Sequence, residues 1–358
     1  MANRERYERQ IILPGFGFTA QDKLLSAKVL IVGMGGLGCP VLQYLTGAGV
    51  GHIGIIDGDR ISLSNLHRQV LFCEQEIGQL KVEMAAVKMR LLNADVNIET
   101  YPFQLSQFNA LEIFAKYDLV IDATDNFTSK YLINDACIVA QKPFVFGAVS
   151  RYEGQVSVFN LASTAKTAIS YRDVFPEAPG PGEVPGCAEA GVIGVLPGII
   201  GTMQAAEAIK IVTGIGNPLY GRLYHYNLLQ GQGYDIDISS GENKTVMNEK
   251  IFLENRYDVM EDEADVPEIS VTEFKRLRHL PGVFVLDVRE RHEYPAIDFS
   301  DAQIPMSELQ NKMHEIPEKE ICIICHQGVR SLYAARLISK QRNLTVYSVK
   351  GGLTAYFK

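Results

Sequence analysis

The stretch from Lys28 to Asp59 narrows the fold more than any other part of the chain. It opens with KVLIV, an uninterrupted apolar run that reads as a strand buried on both faces. The run passes directly into Gly33-Met34-Gly35-Gly36-Leu37-Gly38, then into a helix-like segment, and returns as a second strand, GHIGIIDGD, that ends in acids. Glycines let a backbone approach a phosphate closely, and a helix N-terminus favours negative charge. Such a unit starts a doubly wound parallel sheet, whose ligands sit beyond the C-terminal strand ends. Asp57 stands where a ribose hydroxyl finds its acceptor. Taken alone, the turn and this acid fit an NAD or FAD enzyme.

The alternation continues downstream. A helix (KVEMAAVKMRLL), a strand (VNIETY), a helix near Leu111 and a third buried strand (YDLVIDATDN) follow, then a further helix and strand (YLINDACIVAQ, PFVFGAVS). GQVSVFN reads as an antiparallel extension. FPEAPGPGEVPG, residues 175–186, reads as a crossover loop. A helix, IIGTMQAAEAIKIVTG, and the strands of GRLYHYNLLQGQGYDIDI close this half. A chain of 358 residues exceeds one ordinary core, so two domains are expected. Residues 1–240 form the first. The polar, acidic stretch 241–266 reads as a linker. Residues 267–358 carry a second, smaller α/β pattern: a helix at VTEFKRLR, strands at VFVLDVR and ICIIC, a helix at SLYAARLISK and a strand at LTVYSV. The fold class is therefore α/β: a doubly wound, mainly parallel sheet with an antiparallel extension, plus a smaller α/β domain.

Bulk properties exclude some functions. A formal net charge of −8 argues against a broad footprint on nucleic acid or on an anionic membrane. The N-terminal Met-Ala-Asn-Arg-Glu-Arg lacks the apolar core of a secretory leader. The longest apolar run, near Gly191 to Ile200, is too short to span a bilayer and is interrupted by Pro197. Six cysteines without framework spacing fit a reducing compartment, and a cytoplasmic location is the expectation.

What separates the first domain from a dinucleotide enzyme is the segment Ser62-Leu63-Ser64-Asn65-Leu66-His67-Arg68-Gln69. A dehydrogenase has no need of an Arg and an Asn there, whereas a triphosphate does. Lys81 opens the next helix, and Asp122-Ala123-Thr124-Asp125-Asn126 ends a sheet strand. Cations for phosphate oxygens and a carboxylate for Mg²⁺ are the apparatus of phosphoryl or nucleotidyl transfer. Together GMGGLGCP, IIDGDRISLSNLHRQ, IGQLK and DATDN resemble the MoeB/ThiF/HesA family of ubiquitin-activating-type adenylyltransferases. The likeness runs from about Arg6 to Asp237. It implies a Rossmann-like homodimer that binds ATP through Gly33, Gly35, Gly36, Asp57, Ser64, Asn65, Leu66, His67, Arg68, Lys81, Asp125 and Asn126. Asp125 would hold Mg²⁺ through the nucleotide. In RYERQIIL, Arg9 resembles the family residue that reaches into the partner subunit's ATP site. The implied reaction joins AMP to the terminal glycine carboxylate of a ubiquitin-fold sulfur carrier.

Cys39, Cys73 and Cys137 read as small buried hydrophobes. Cys187 follows the Pro/Gly-rich loop, where a thiol near an activated carboxyl can attack it or receive sulfur. The family resemblance also places a cysteine here that links to the carrier or forms a mixed disulfide. Many members of that family bind structural zinc through two CxxC pairs. Here Ser170-Tyr171-Arg172-Asp173 stands in place of the first and no second pair follows Gly231, so no zinc is expected. Cys322-Ile323-Ile324-Cys325 lies in a strand pattern, which does not aim both thiols at one metal.

Cys325-His326-Gln327-Gly328-Val329-Arg330-Ser331 joins a buried strand to a helix. Backbone N–H groups and the helix dipole favour an anionic sulfur in such a turn. Sulfur transfer and cysteine-dependent phosphate-ester hydrolysis both suit it. With LDVRE, His292-Glu293-Tyr294 and the closing KGGL, residues 267–358 resemble a rhodanese domain, in which Cys325 would carry a persulfide. Pro295 to Gln303 departs from the usual rhodanese pattern at the rim. The combined reading is carrier adenylation followed by sulfur transfer to a thiocarboxylate. The sulfur would come from a cysteine desulfurase or thiosulfate, and the pathway (molybdopterin, thiamine, cysteine or tRNA thiolation) stays open. A carrier-binding scaffold and an NAD-dependent oxidoreductase are the alternatives.

Overall fold

A computed structural model describes residues 4–161, 168–179, 191–239, 247–255, 257, 266–291, 293–309, 312–342 and 344–357. The chain divides into two compact units, with the change near Tyr257.

The first unit is built on an eight-stranded sheet in the order β3-β2-β1-β4-β5-β6-β7-β8. The strands are β1 (Lys28–Val32), β2 (His52–Ile56), β3 (Asn97–Tyr101), β4 (Leu119–Asp122), β5 (Phe144–Ser150), β6 (Glu153–Phe159), β7 (Arg222–Asn227) and β8 (Gln232–Asp237). The first five in sequence are parallel and the last three run antiparallel. Strand alternation explains the apolar runs. Val29 and Ile31 enter one core layer while Leu30 and Val32 enter the other. Each such fully buried side chain stabilises the fold by about 1.5–3 kcal/mol relative to exposure. The order reverses between β1 and β4, because β2 and β3 continue to one side of β1 and β4 and β5 to the other. That crevice is where a doubly wound sheet binds ligands.

Three expectations need correction. The polar stretch expected as a linker contains a helix, Glu249–Glu254, capped by the Asn248 side chain. Its Phe252 and the following Tyr257 are buried in a core layer of the first unit. Their apolar area outweighs the surrounding acids. The apolar run does not break at Pro197 either. It enters the 19-residue helix Val195–Thr213, with Pro197 in the first turn, where a missing N–H costs nothing. That helix is apolar and long enough to cross a bilayer, and here it packs through Leu196, Ile200, Ala205 and Ala208 into the sheet's core. Cys73 is exposed rather than buried. Its backbone N–H is held by Glu76 at the head of a one-turn 3-10 helix on the surface.

The second unit is a parallel sheet of five strands, ordered β11-β10-β12-β13-β9. They are β9 (Glu268–Ile269), β10 (Val283–Asp287), β11 (Ala302–Gln303), β12 (Glu320–Ile324) and β13 (Val346–Val349). Ile321 and Ile323 face one layer, and Cys322 and Ile324 the other.

Candidate active sites

A cavity of about 340 Å³ opens at the crevice in the first unit. The glycine turn forms its floor. Gly33 has φ +97°, and a Cβ there would lie 2.7 Å from the Ala123 carbonyl oxygen, so no other residue fits without strain. Gly35 and Gly36 line the cavity as well. The acids at the end of β2 brace the turn. Asp57 Oδ2 accepts the Met34 N–H at 2.7 Å, and Oδ1 accepts that of Asp59 at 2.7 Å. Each oxygen keeps a second lone pair.

The cations come from the loop after β2 and from the helix Lys81–Leu92. Asn65 orients Arg68, accepting from its guanidinium at 3.0 Å, while the Ser64 carbonyl accepts at 3.3 Å. Lys81 is buried, and its ammonium sits 2.8 Å from Asp59 and 3.7 Å from Asp57. It is therefore held by two carboxylates within a wall of the cavity. Asp125 and Asn126 complete the opposite wall. Asn126 also caps the helix Phe127–Ala140, accepting the Ser129 N–H at 2.8 Å. Asp125 has no side-chain partner among the described residues.

Gly33, Gly35, Gly36, Asp57, Asn65, Arg68, Lys81, Asp125 and Asn126 thus meet around one cavity. Ser64, Leu66 and His67 are not among its lining residues. Ser64 and His67 are exposed, and Leu66 packs on the core. Arg9 is exposed on the short helix Glu8–Ile11, away from the lining. Cys187 lies outside the described residues. Gln69, Phe103 and Gln104 also line the cavity, and the sequence reading assigned them nothing. Gln69 is 3% exposed, and its Oε1 has no hydrogen-bond partner. Its place beside Arg68 was the available signal.

The segment where the first CxxC pair would stand is a single turn, Tyr171–Val174, closed by Asp173 accepting from the Ser170 N–H and hydroxyl at 2.7 and 3.0 Å. Arg172 makes two hydrogen bonds to the fully buried Asp135, at 2.8 and 2.7 Å, and Tyr257 donates to the same carboxylate at 2.9 Å. Tyr131 then holds the Phe175 and Glu177 carbonyls. The crossover loop is thus anchored on its N-terminal side by a carboxylate hub.

In the second unit, β12 delivers Cys325 to the foot of the 13-residue helix Val329–Gln341. Gly328, with φ +92°, turns the chain so that its N–H points at Cys325 Sγ, 3.1 Å away. The carbonyls of Cys325 and His326 are taken by the N–H groups of Leu353 and Thr354, both at 2.9 Å. A Cβ on Gly352 would lie 2.3 Å from the Cys325 oxygen, which explains the closing glycine pair. Ser331 Oγ lies 3.5 Å from the sulfur and 3.0 Å from Ser348 Oγ. Arg330 is clamped by Glu293, with the second of two contacts at 2.8 Å. Burial is the largest single influence on the Glu293 carboxyl and pushes it up, but the Arg330 hydrogen bonds, the Glu290 N–H and the charges of Arg330 and Arg289 together outweigh it, and the result lies below the usual carboxylate range. Arg289 and Asp287 of the LDVR segment form a buried bidentate pair, and Arg289 also holds the Pro295 carbonyl. His292 lies outside the described residues. The other buried thiols are inert by environment. Burial pushes Cys39 and Cys322 each up to about 12, and Cys137 well above its ordinary value.

Comparison with known proteins accords with both halves. Residues 7–246 match the ThiF family, and residues 270–358 match the rhodanese-like domain. The sulfur carrier protein adenylyltransferase of Thermus thermophilus is 50% identical over 227 residues, covering 63% of this chain and 84% of that protein. The probable adenylyltransferase/sulfurtransferase MoeZ of Mycobacterium tuberculosis is 35% identical over 362 residues, covering 99% of this chain and 92% of that one. Among solved structures, Escherichia coli MccB aligns with a TM-score of 0.61 at 20% identity, over 69% of this chain and 73% of its own, a likeness of fold. The chain therefore belongs to the ThiF family, with a rhodanese-like domain as its second unit.

Proposed function

We propose that this protein is an adenylyltransferase and sulfurtransferase that activates a ubiquitin-fold sulfur carrier and then hands it sulfur. The observation that carries the reading is the cavity at the β1/β4 crevice. Glycine backbone, Arg68, Lys81 and Asp125 surround it, in a chain that also places Cys325 under the N–H of Gly328.

ATP lies with its ribose toward Asp57 and its phosphates over the glycine turn. The carrier's terminal carboxylate oxygen attacks the α-phosphorus, an O–P bond forms, and the bond to the β-phosphate oxygen breaks as pyrophosphate leaves. Arg68, preset by Asn65, offsets the charge gathering on the phosphates. Lys81 turns from Asp59 toward the nucleotide. The free Asp125 carboxylate and the unpaired Gln69 oxygen are acceptors on the cavity wall, and the amino and hydroxyl groups of a nucleotide or the water on its metal can supply their donors. Magnesium fits the same donor set, with Asp125 as its protein ligand, and would neutralise the departing pyrophosphate. Arg9, exposed on its N-terminal helix, serves the ATP site of a second copy in a homodimer.

The second unit receives sulfur from a cysteine desulfurase or from thiosulfate, as Cys325 thiolate displaces the donor's leaving group and becomes a persulfide. The persulfide sulfur attacks the acyl adenylate, AMP leaves, and an acyl disulfide joins carrier and Cys325. A thiolate, for which Cys187 is the candidate in this chain, then attacks Cys325 Sγ, leaving a Cys187–Cys325 disulfide and freeing the carrier thiocarboxylate. A thiol reductant of a reducing cytoplasm then reduces that disulfide and returns both thiols for the next turnover.

The test is incubation with ATP, Mg²⁺, a sulfur donor and a panel of ubiquitin-fold carriers, read by mass spectrometry. A thiocarboxylate product is expected. Cys325→Ala should retain carrier-dependent ATP–pyrophosphate exchange while losing the thiocarboxylate. Arg68→Ala should slow exchange by roughly 10²–10³-fold, the size of losing one preorganised charge stabiliser. Absence of exchange with every carrier would remove the reading.

A further inference from the structure

Lys130 is one of the most buried cations in the first unit, at 5% exposure, and the proposed reaction leaves it without a task. It sits on the helix Phe127–Ala140, one turn past the acidic turn at the end of β4. Its ammonium has three donors, and three acceptors surround it: Asp122 Oδ2 at 3.0 Å, the Thr124 carbonyl at 3.0 Å and the Gly147 carbonyl at 2.8 Å. The Phe146 ring covers it at 4.9 Å. Asp122 is fully buried and spends its other oxygen on the N–H and hydroxyl of Thr124, at 3.0 and 2.6 Å. A buried charge survives only when paired and fully hydrogen-bonded, and this one meets both conditions.

The consequence lies one residue further on. Lys130 grips the carbonyl of Thr124, which belongs to the same peptide plane as the Asp125 nitrogen. Asp122 fixes the other side of Thr124. The turn is thus held at the Asp122 carboxylate, the Ala123 N–H and the Thr124 N–H, hydroxyl and carbonyl, and Asp125 lines the cavity from that base. The Gly147 contact ties this base to the middle of β5, so the turn cannot swing without breaking that bond.

We propose that Lys130 is a positioning residue that presets Asp125 for the Mg²⁺ of the bound nucleotide. The inference rests on the reading of Asp125 given above. Lys130 acts as the supporting shell of a metal ligand, where substitutions weaken metal affinity by about 10–100-fold. It does not touch the nucleotide, so metal-free ATP binding does not depend on it.

The experiment is calorimetric titration of the full-length protein with ATP, in EDTA and across a MgCl₂ series, for wild type, Lys130→Met, Lys130→Arg and Asp125→Asn. Lys130→Met is expected to need about 10–100-fold more Mg²⁺ for half of the metal-dependent gain in ATP affinity, with affinity in EDTA unchanged. Lys130→Arg, which keeps charge and donors, recovers most of the gain. Should Lys130→Met fail to fold, Lys130→Gln, which retains a donor, takes its place in the same series. Equal loss of ATP affinity with and without Mg²⁺, or a wild-type Mg²⁺ requirement beside a lowered melting temperature, overturns the proposal. A wild-type Mg²⁺ requirement in Asp125→Asn overturns the Asp125 reading and this one together. An altered Asp125→Asn beside an unaltered Lys130→Met overturns this one alone.

Discussion

Glu293 shows how one residue can couple acid sensitivity to the Cys325 loop. Its carboxylate clamps Arg330, in the first turn of the helix that follows Cys325, and that pairing, with the Glu290 N–H and the Arg289 charge, outweighs burial and holds its titration below the ordinary range. The carboxyl is ionised at neutral pH in both folded and unfolded chains. The unfolded carboxyl takes up its proton near pH 4.3, and the folded one only at lower pH. The pair's stabilisation is therefore full above that value and drains as pH falls through the folded one. Glu293→Gln should melt below wild type at pH 7, and the gap should shrink steadily below about pH 4. Differential scanning calorimetry across that range checks it, and a gap independent of pH would show that packing, not charge, joins these residues. The motif was readable in the sequence as HEY and C-x-x-G-x-R-S. The ion pair between them was not, because 37 residues separate its partners.

At the scale of elements, the glycine turn, the acidic ends of β2 and β4 and the strand before Cys325 follow from local pattern, since strand burial and turn chemistry are written in adjacent residues. What local pattern misses is anything built from distant polar residues. Arg172, Asp135 and Tyr257 are such a case. Asp135 reads as an ordinary polar position in a helix, yet it is fully buried and receives Arg172 and Tyr257 from 37 and 122 residues away. The same limit hid the packing of Phe252, which the acidic context concealed, and the role of Lys130. Arg9 was legible as a motif, but its exposed position is set by how Tyr7 is buried against Asn93 and the turn after Ala48. The Asp135 hub has a measurable weight. Asp135→Ala strips the acceptor from Arg172 and Tyr257 at once, and removing one partner of a buried pair costs about 3–5 kcal/mol. Urea unfolding should show that loss in the transition of the first unit. A change within the scatter of surface substitutions would mean that water replaces the carboxylate there.

At the scale of the whole molecule, the two units have separate sheets and separate cores, so their stabilities can be addressed separately. Among the described residues, those that line the cavity at the β1/β4 crevice belong to the first. A ligand that binds the folded state alone adds RT ln(1 + [L]/Kd), about 2.7 kcal/mol at a hundredfold excess over Kd. MgATP should therefore raise the melting temperature of one calorimetric transition and leave the other in place. Lys81→Ala should abolish that upward shift, because the variant takes a buried cation out of the cavity wall. Cys325→Ala should preserve it, because that cysteine belongs to the other unit's core. The pattern across the three proteins discriminates sharply. Both transitions moving together on MgATP would mean that the units unfold as one body, and an unchanged shift in Lys81→Ala would place the nucleotide elsewhere than the cavity at the β1/β4 crevice.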